Sequence, residues 1–263
     1  MKYCRFTSPD GPKFGIIETV AGSEQITRTC VDAAVPDLSK AQKVSPIALN
    51  SVSLLVPAQP SKIVCVGRNY VDHAKEFGNE PPPDLIIFLK PPTSLLAPGG
   101  KIVRPRHLSQ RVDFEGELTA VIGKICHGLK DSDDVRPYIA GYTCGNDVTA
   151  RDLQRKDGQW TRGKSFDTFC PVGPVVTNEI DPWAGVQLET RVNDEVKQSA
   201  STTLFIFPMD VMVRFISQVM TLLPGDLILT GTPAGVGPLV AGDQVAVSIH
   251  GIGTLTNPVV DAE

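Results

Sequence analysis

The chain has 263 residues and a formal net charge of −4, with acids and bases interspersed, so no basic stripe marks it for nucleic acid. Its six cysteines form no Cys-x-x-Cys pair and only four histidines accompany them, which argues against a zinc site and a disulfide framework. No apolar run reaches the ~18 residues of a membrane span, and residues 1–7 resemble neither a signal peptide nor a presequence, so a soluble cytoplasmic protein is expected.

The 23 glycines and 22 prolines suit a turn-rich β architecture. Residues 1–58 read as a small β-rich domain. Short strands at Arg5-Phe6 and at 14–17 flank the turn Ser8-Pro9-Asp10-Gly11-Pro12, and residues 47–56 are extended. Pro57-Ala58-Gln59-Pro60 is the linker to a second domain, 59–263.

The second domain begins with a buried strand at 62–67. A helix-like piece follows, capped by Asn69 and ended by Gly78, with Tyr70, Ala74 and Phe77 on one face. His73 and Glu76 sit at i, i+3, as neighbours on that helix. Read alone, they are either an ordinary surface pair or an imidazole oriented by a carboxylate to act as a base.

The informative stretch is Asp113-Phe114-Glu115-Gly116-Glu117-Leu118-Thr119-Ala120-Val121-Ile122. Its β-branched and apolar residues predict a strand. Residues i and i+2 share a strand face, so Glu115 and Glu117 project together, roughly 6–7 Å apart at ~3.3 Å per residue. Two carboxylates that close repel unless a cation lies between them, and a hard divalent ion suits the gap. Asp147 ends another buried-looking strand and is the expected third ligand. Asp152, nearby, reads as an acid at a helix start.

Further on, Lys164 lies between Gly163 and Ser165 in a polar loop, placed either to meet an anion or simply in solvent. Asn193-Asp194-Glu195 is a hairpin turn. Residues 208–222 form the one clear amphipathic helix, with Val211, Phe215, Ile216 and Val219 on its buried face. The glycine-rich 230–237 loop lacks the lysine and helix of a phosphate loop.

These motifs, in this order, resemble the fumarylacetoacetate hydrolase family, especially its acylpyruvase and oxaloacetate decarboxylase branch. The resemblance rests on Gly67-Arg68-Asn69-Tyr70 with His73 and Glu76, Asp113-Phe114-Glu115-Gly116-Glu117, 146–152, Gly163-Lys164-Ser165-Phe166-Asp167, 225–233 and Gly251-Ile252-Gly253. It spans about residues 60–260. It implies an α+β, predominantly β fold: a mixed β-sandwich roll with few helices, a small N-terminal domain and usually a homodimer. It places Mg²⁺ or Mn²⁺, with Ca²⁺ as a further oxygen-preferring ion, on Glu115, Glu117 and Asp147. It assigns catalytic roles to His73, Glu76 and Lys164, and substrate contacts to Arg68, Tyr70, Gln154 and Thr232. The longer hydrolase that names the family has a further aspartate ligand where this chain has Cys65-Val66-Gly67, so three ligands are expected and fumarylacetoacetate itself is not.

The resemblance puts first the cleavage of a C–C bond beside a 2-oxo acid, by hydrolysis of an acylpyruvate or other 2,4-dioxo acid or by decarboxylation of oxaloacetate. Isomerisation or decarboxylation of 2-hydroxy-dienoates, or tautomerisation of a 2-oxo diacid, is the alternative. A non-catalytic metabolite-binding protein is a reading of another class, which the intact constellation opposes.

Overall fold

The structure, a computed structural model, describes every residue except Phe77 and Asn79. The expected place of Phe77 on the first helix therefore lies outside the described residues.

Ten strands make the main path of the larger sheet. They are β1 (Lys2–Ser8), β2 (Gly11–Val20), β3 (Ser23–Val31), β4 (Gln42–Ala48), β5 (Ile63–Gly67) and β6 (Ile86–Lys90), with four later ones. Between β6 and these lie β7 (Ile102–Arg104) and β8 (Val112–Phe114), which belong to other sheets. The chain continues with β9 (Gly116–Ile122), β10 (Ile139–Asn146) and β11 (Cys170–Thr177). It then forms β12 (Gln187–Val192), β13 (Glu195–Ser201), β14 (Leu227–Leu229), β15 (Gln244–Ile249) and β16 (Gly253–Asp261). Among the described residues the four α-helices are α1 (Val71–Glu76), α2 (Arg151–Asp157), α3 (Thr161–Lys164) and α4 (Met209–Val219). None of the described helices is long and apolar enough to cross a membrane.

The large sheet runs β4-β3-β2-β1-β11-β10-β9-β14-β5-β6, antiparallel except for the parallel pair β14–β5. A five-stranded sheet, β13-β12-β15-β16-β7, packs on one face. The strand β9 shows why the two layers meet. Leu118, Ala120 and Ile122 point to the core shared with Leu188, Val247 and Leu255 of the smaller sheet. Val121 points the other way, to a second core with Ile63, Val172 and Leu229. The period of two puts alternate residues into alternate cores, so the whole strand is buried. The result is the mainly β, mixed-sheet α+β architecture that the resemblance implies.

The N-terminal strands β1–β4 form a meander, and β1 pairs with β11 through Lys2–Thr177 and Tyr3–Val176. They therefore continue the main sheet at its outer end. The hairpin at Asn193 and Asp194 forms as expected, with both residues at positive φ.

Two local expectations are corrected. Helix α4 buries Met209, Met212, Val213 and Ile216, leaving Val211, Phe215 and Val219 exposed. Both stripes are apolar, so periodicity alone could not choose between them. The rotation is set by Asp210, which takes hydrogen bonds from Trp183 Nε1 and Arg214 Nη1, while Arg214 also donates to Asp133 O. Lys164, expected in a loop, ends the short helix α3. Gly163 allows that helix to lie against α2, since a Cβ there would stand 2.9 Å from Gln154 N.

Candidate active site

Four strand ends converge on one place: the start of β9 and the ends of β10, β14 and β5. Glu115 lies at the break between β8 and β9, and Asp147 directly follows β10. The backbone locks them together. Glu115 N donates to Asn146 Oδ1 at 2.9 Å, and Asp147 N donates to Glu115 O at 2.9 Å. Glu117 is held from the β14 side, where Gly231 N donates to its Oε2 at 2.7 Å. All three carboxylates are buried, with one oxygen of each within 4.8 Å of the others. The glycine between the two glutamates has a steric reason: a Cβ at Gly116 would come within 2.0 Å of Thr190 Oγ1 on the other sheet. Asp152 is elsewhere, accepting from Ser109 Oγ and Gln110 N.

Three buried cations face the triad. Lys164 Nζ donates to Glu115 Oε2 at 2.8 Å and to Asp147 Oδ2 at 2.5 Å. Lys90, only 1% exposed, donates to Asp147 Oδ1 at 2.6 Å and to Val148 O. Arg151 pairs with Glu115 through Nη2, and its Nε donates to Asp113 Oδ2 at 2.9 Å. Burial acts to raise the Glu115 carboxyl, but Lys164 and Arg151 outweigh it and hold the group well below the ordinary range. Burial acts to lower the Lys164 ammonium, but Asp147 and Glu115 outweigh it and hold it above its usual value. Glu117 goes the other way: burial, then the charges of Asp147 and Glu115, push its carboxyl well up. The Gly231 amide is its hydrogen-bond partner. Like charge thus accumulates at one point of an all-oxygen donor set. That is the environment a hard divalent cation neutralises, and the residues present fit one.

The triad opens on a cavity of about 420 Å³. His73, on α1, is buried and lines it, with Nδ1 3.4 Å from Glu76 Oε2. Glu76 also takes the Gly235 amide at 3.2 Å, tying α1 to the 230–237 loop. Asn69 was expected to cap this helix. Its side chain instead donates to Thr230 O at 2.8 Å and accepts from Phe207 N at 2.8 Å, pinning the chain just ahead of α1.

The expected substrate contacts divide. Arg68 lines the cavity at the end of β5, at a positive φ of 56°. Gln154 lines it too, and its carbonyl oxygen accepts from Arg151 Nη1 at 2.7 Å, which turns the amide nitrogen into the group offered to a ligand. Thr232 borders the cavity, but its hydroxyl donates to Gly116 O at 2.9 Å and accepts from Gln198 Nε2 at 2.7 Å. It ties the loop to β9. Tyr70 is not a lining residue. It packs edge-on against Phe205, centroids 5.1 Å apart, and burial together with the Glu117 charge raises its phenol.

Comparison with known proteins now decides the family. The family model "Fumarylacetoacetate (FAA) hydrolase C-terminal" matches residues 62–260. The chain belongs to the fumarylacetoacetate hydrolase family. A solved structure of 5-carboxymethyl-2-hydroxymuconate delta-isomerase from Mycobacterium smegmatis is 44% identical, covers 100% of both chains and superposes with a TM-score of 0.88. A 2-hydroxyhepta-2,4-diene-1,7-dioate isomerase from Mycobacterium marinum is 46% identical over 99% of this chain and 98% of its own, also at 0.88. A mitochondrial oxaloacetate tautomerase from Homo sapiens is 38% identical over 99% of this chain and 92% of its own length.

Several residues at this fumarylacetoacetate hydrolase-type site carried no role in the sequence reading. Lys90 ends a strand before two prolines, where a lysine normally seeks solvent, and nothing local points to Asp147. Arg151 and Arg155 did leave a signal: with Gln154 they fall at i, i+3, i+4 on one face of α2, and all three line the cavity, as does Gly158 just past the helix end. Phe88 and Trp160 form an aromatic wall, centroids 5.1 Å apart, visible only once β6 and the α2–α3 turn come together.

Proposed function

We propose that this chain catalyses proton transfer next to the 2-oxo group of a small acid, interconverting enol and keto forms of a 2-oxo diacid or a 2-hydroxy-dienoate. Glu115, Glu117 and Asp147 are the groups that would hold Mg²⁺ or Mn²⁺, oxygen-preferring ions suited to carboxylate donors. The observation that carries the reading is that this triad and His73, whose ring Glu76 contacts, line one cavity. When bound, the metal supplies a Lewis acid for the 2-oxo oxygen.

The remaining chemistry belongs to the chain. In the ketonising direction the enol hydroxyl gives its proton to solvent and the neighbouring carbon gains one from protonated His73, which then regains a proton from solvent. His73 delivers that carbon-bound proton, or removes it in reverse, and Glu76 keeps the ring oriented. Lys164 has three ammonium protons; Glu115 and Asp147 take two, and the third remains for the oxygen that carries negative charge. Helix α1 closes over the site and keeps water from the reacting carbon. Among the described residues, no serine or cysteine lines the cavity as a nucleophile.

Hydrolysis or decarboxylation, which the resemblance puts first, has less support than this alternative. Two of the full-length structural relatives are named isomerases and the human relative a tautomerase, while another full-length structural relative is named a fumarylacetoacetate hydrolase. The deciding experiment supplies Mg²⁺-loaded protein with enol oxaloacetate and, separately, an acylpyruvate. Loss of enol absorbance is expected to outrun both pyruvate release and acylpyruvate cleavage. Faster cleavage than ketonisation would restore the hydrolase or decarboxylase reading.

We also propose a homodimer, on the resemblance alone. Light scattering at micromolar concentration is expected to give twice the chain mass, and a monomer would overturn it.

A further inference from the structure

Strand β13 lies at the edge of the smaller sheet, and one residue on it breaks its exposed pattern. Residues 195–197 and Ser199 are exposed, yet Gln198 between them is only 1% exposed. A buried amide is costly unless its donors and acceptor are paired. Here they are. Gln198 Oε1 accepts from Gly116 N at 3.0 Å, and its Nε2 donates to Thr232 Oγ1 at 2.7 Å and to Pro233 O at 2.8 Å. Thr232 Oγ1 donates in turn to Gly116 O, which closes a ring on the glycine between the two glutamates.

The ring stands where the main sheet gives out. β14 pairs with β9 from Val121 to Thr119, and beyond Leu229 the chain leaves the ladder as the 230–235 loop. Gly231 N reaches Glu117, and Gly235 N reaches the two carboxylate oxygens of Glu76 at 3.2 and 3.3 Å. One loop thus touches a triad acid at one end and the partner of His73 at the other, and Gln198 holds it in the middle. The backbone beside Gln198 holds the far end. A Cβ on Gly235, whose φ is +101°, would stand 1.9 Å from Lys197 O, so glycine lets the loop lie directly on β13. Gln198 is not among the residues lining the cavity, so whatever it does for the site passes through this loop.

We propose that Gln198 is a positioning residue: through the 231–235 loop it fixes the Glu76 carboxylate, and with it the His73 ring, relative to the carboxylate floor. That His73 moves the proton rests on the reaction proposed above; the placement of its ring does not. A glutamine of purely structural value would lower stability when removed and leave the ring where it is.

The test reads the ring directly, by NMR of protein carrying ¹³C-labelled histidine. The chain has four histidines, and the spectrum of His73→Ala identifies the signal of His73. Gln198→Met keeps the length of the side chain and removes the amide. It is expected to shift the His73 signal and to leave those of His107, His127 and His250 in place. In the ketonisation assay its kcat is expected to fall about 10–100-fold, the scale of a misplaced catalytic group, with KM little changed. On a Glu76→Ala background the same substitution is expected to cost about twofold or less, because the group it positions is already gone. Gly235→Ala attacks the same link from the other side, at a half-buried loop position, and is expected to move the same signal. An unmoved His73 signal in Gln198→Met, or in Gly235→Ala should Gln198→Met not fold, would overturn the proposal. So would equal losses from Gln198→Met with and without Glu76. Absent ketonisation in wild-type protein would overturn the proposed reaction instead, and the His73 signal would then decide the role of Gln198 alone.

Discussion

The floor of the cavity is made of strand ends, and its roof is the six-residue helix α1. On the floor, Glu115, Glu117 and Asp147 are fixed by backbone hydrogen bonds between β9, β10 and the 230–232 loop. A strand buried on both faces cannot shift without breaking two cores. On the roof, Asn69 pins the approach to α1, and Glu76 meets the Gly235 amide near its far end. The difference separates two tasks. In the proposed reaction the floor sets where a cation and a keto acid would sit before either arrives. In the same proposal the roof carries the proton-transfer group, on an element of only six residues that would open for substrate.

That division is open to attack from both sides. The largest effect belongs to the floor. Glu117→Gln, or chelation of wild-type protein, is expected to lower turnover by about 10³-fold or more, since the Lewis acid supplies several kcal/mol. Glu117 is the acid that burial and its like-charged neighbours push up, so its removal relieves strain in the metal-free state. Thermal melts should show metal-free Glu117→Gln melting no lower than metal-free wild type, and no rise on adding Mg²⁺. A melting temperature that still climbs with Mg²⁺ would remove Glu117 from the ligand set.

The roof comes next. His73→Ala is expected to slow ketonisation by about 10²–10⁴-fold, the range for a lost general acid or base. The same variant should keep the full Mg²⁺-induced rise in melting temperature. If that rise disappears along with activity, floor and roof are one unit and the division is wrong.

The smallest effect sharpens the picture of the floor. Lys90→Met removes one of the two ammonium groups on Asp147 and leaves Lys164 in place. Breaking a buried pair costs about 3–5 kcal/mol of stability. Loss of such a supporting contact lowers metal affinity about 10–100-fold. Denaturant unfolding and a Mg²⁺ titration measure the two. Wild-type values in both would make Lys90 a bystander.

The sequence was legible where the chemistry is local. The alternation of β9 marks its strand, which breaks at Glu115 rather than running through it, and Glu115 and Glu117 both line the cavity. The i, i+3 spacing of His73 and Glu76 survives as a contact. The family resemblance then selected Asp147 and Lys164 from among many acids and lysines. What stayed hidden depends on long-range partners. Lys90 meets Asp147 across 57 residues, and α4 offers two apolar stripes whose choice is made by Trp183 and Asp133 from other parts of the chain. Strand β3 was missed because its alternation is broken by Arg28 and Thr29, which a half-exposed strand near the sheet edge tolerates.

The bond from Asn69 to Thr230 spans 161 residues and has a consequence for synthesis. A nascent chain has made all three carboxylates by residue 147, yet β14, the strand that separates β9 from β5, comes only at 227–229. Until then β9 has a bare edge, with an acid near its start and hydrophobic residues along it, the kind of edge that recruits strands from other chains. The completed strand closes that edge and brings Gly231 to Glu117 in the same event. Assembly of the carboxylate floor and protection from aggregation are therefore a single late step, and a ribosome that stalls before residue 227 releases a chain with neither.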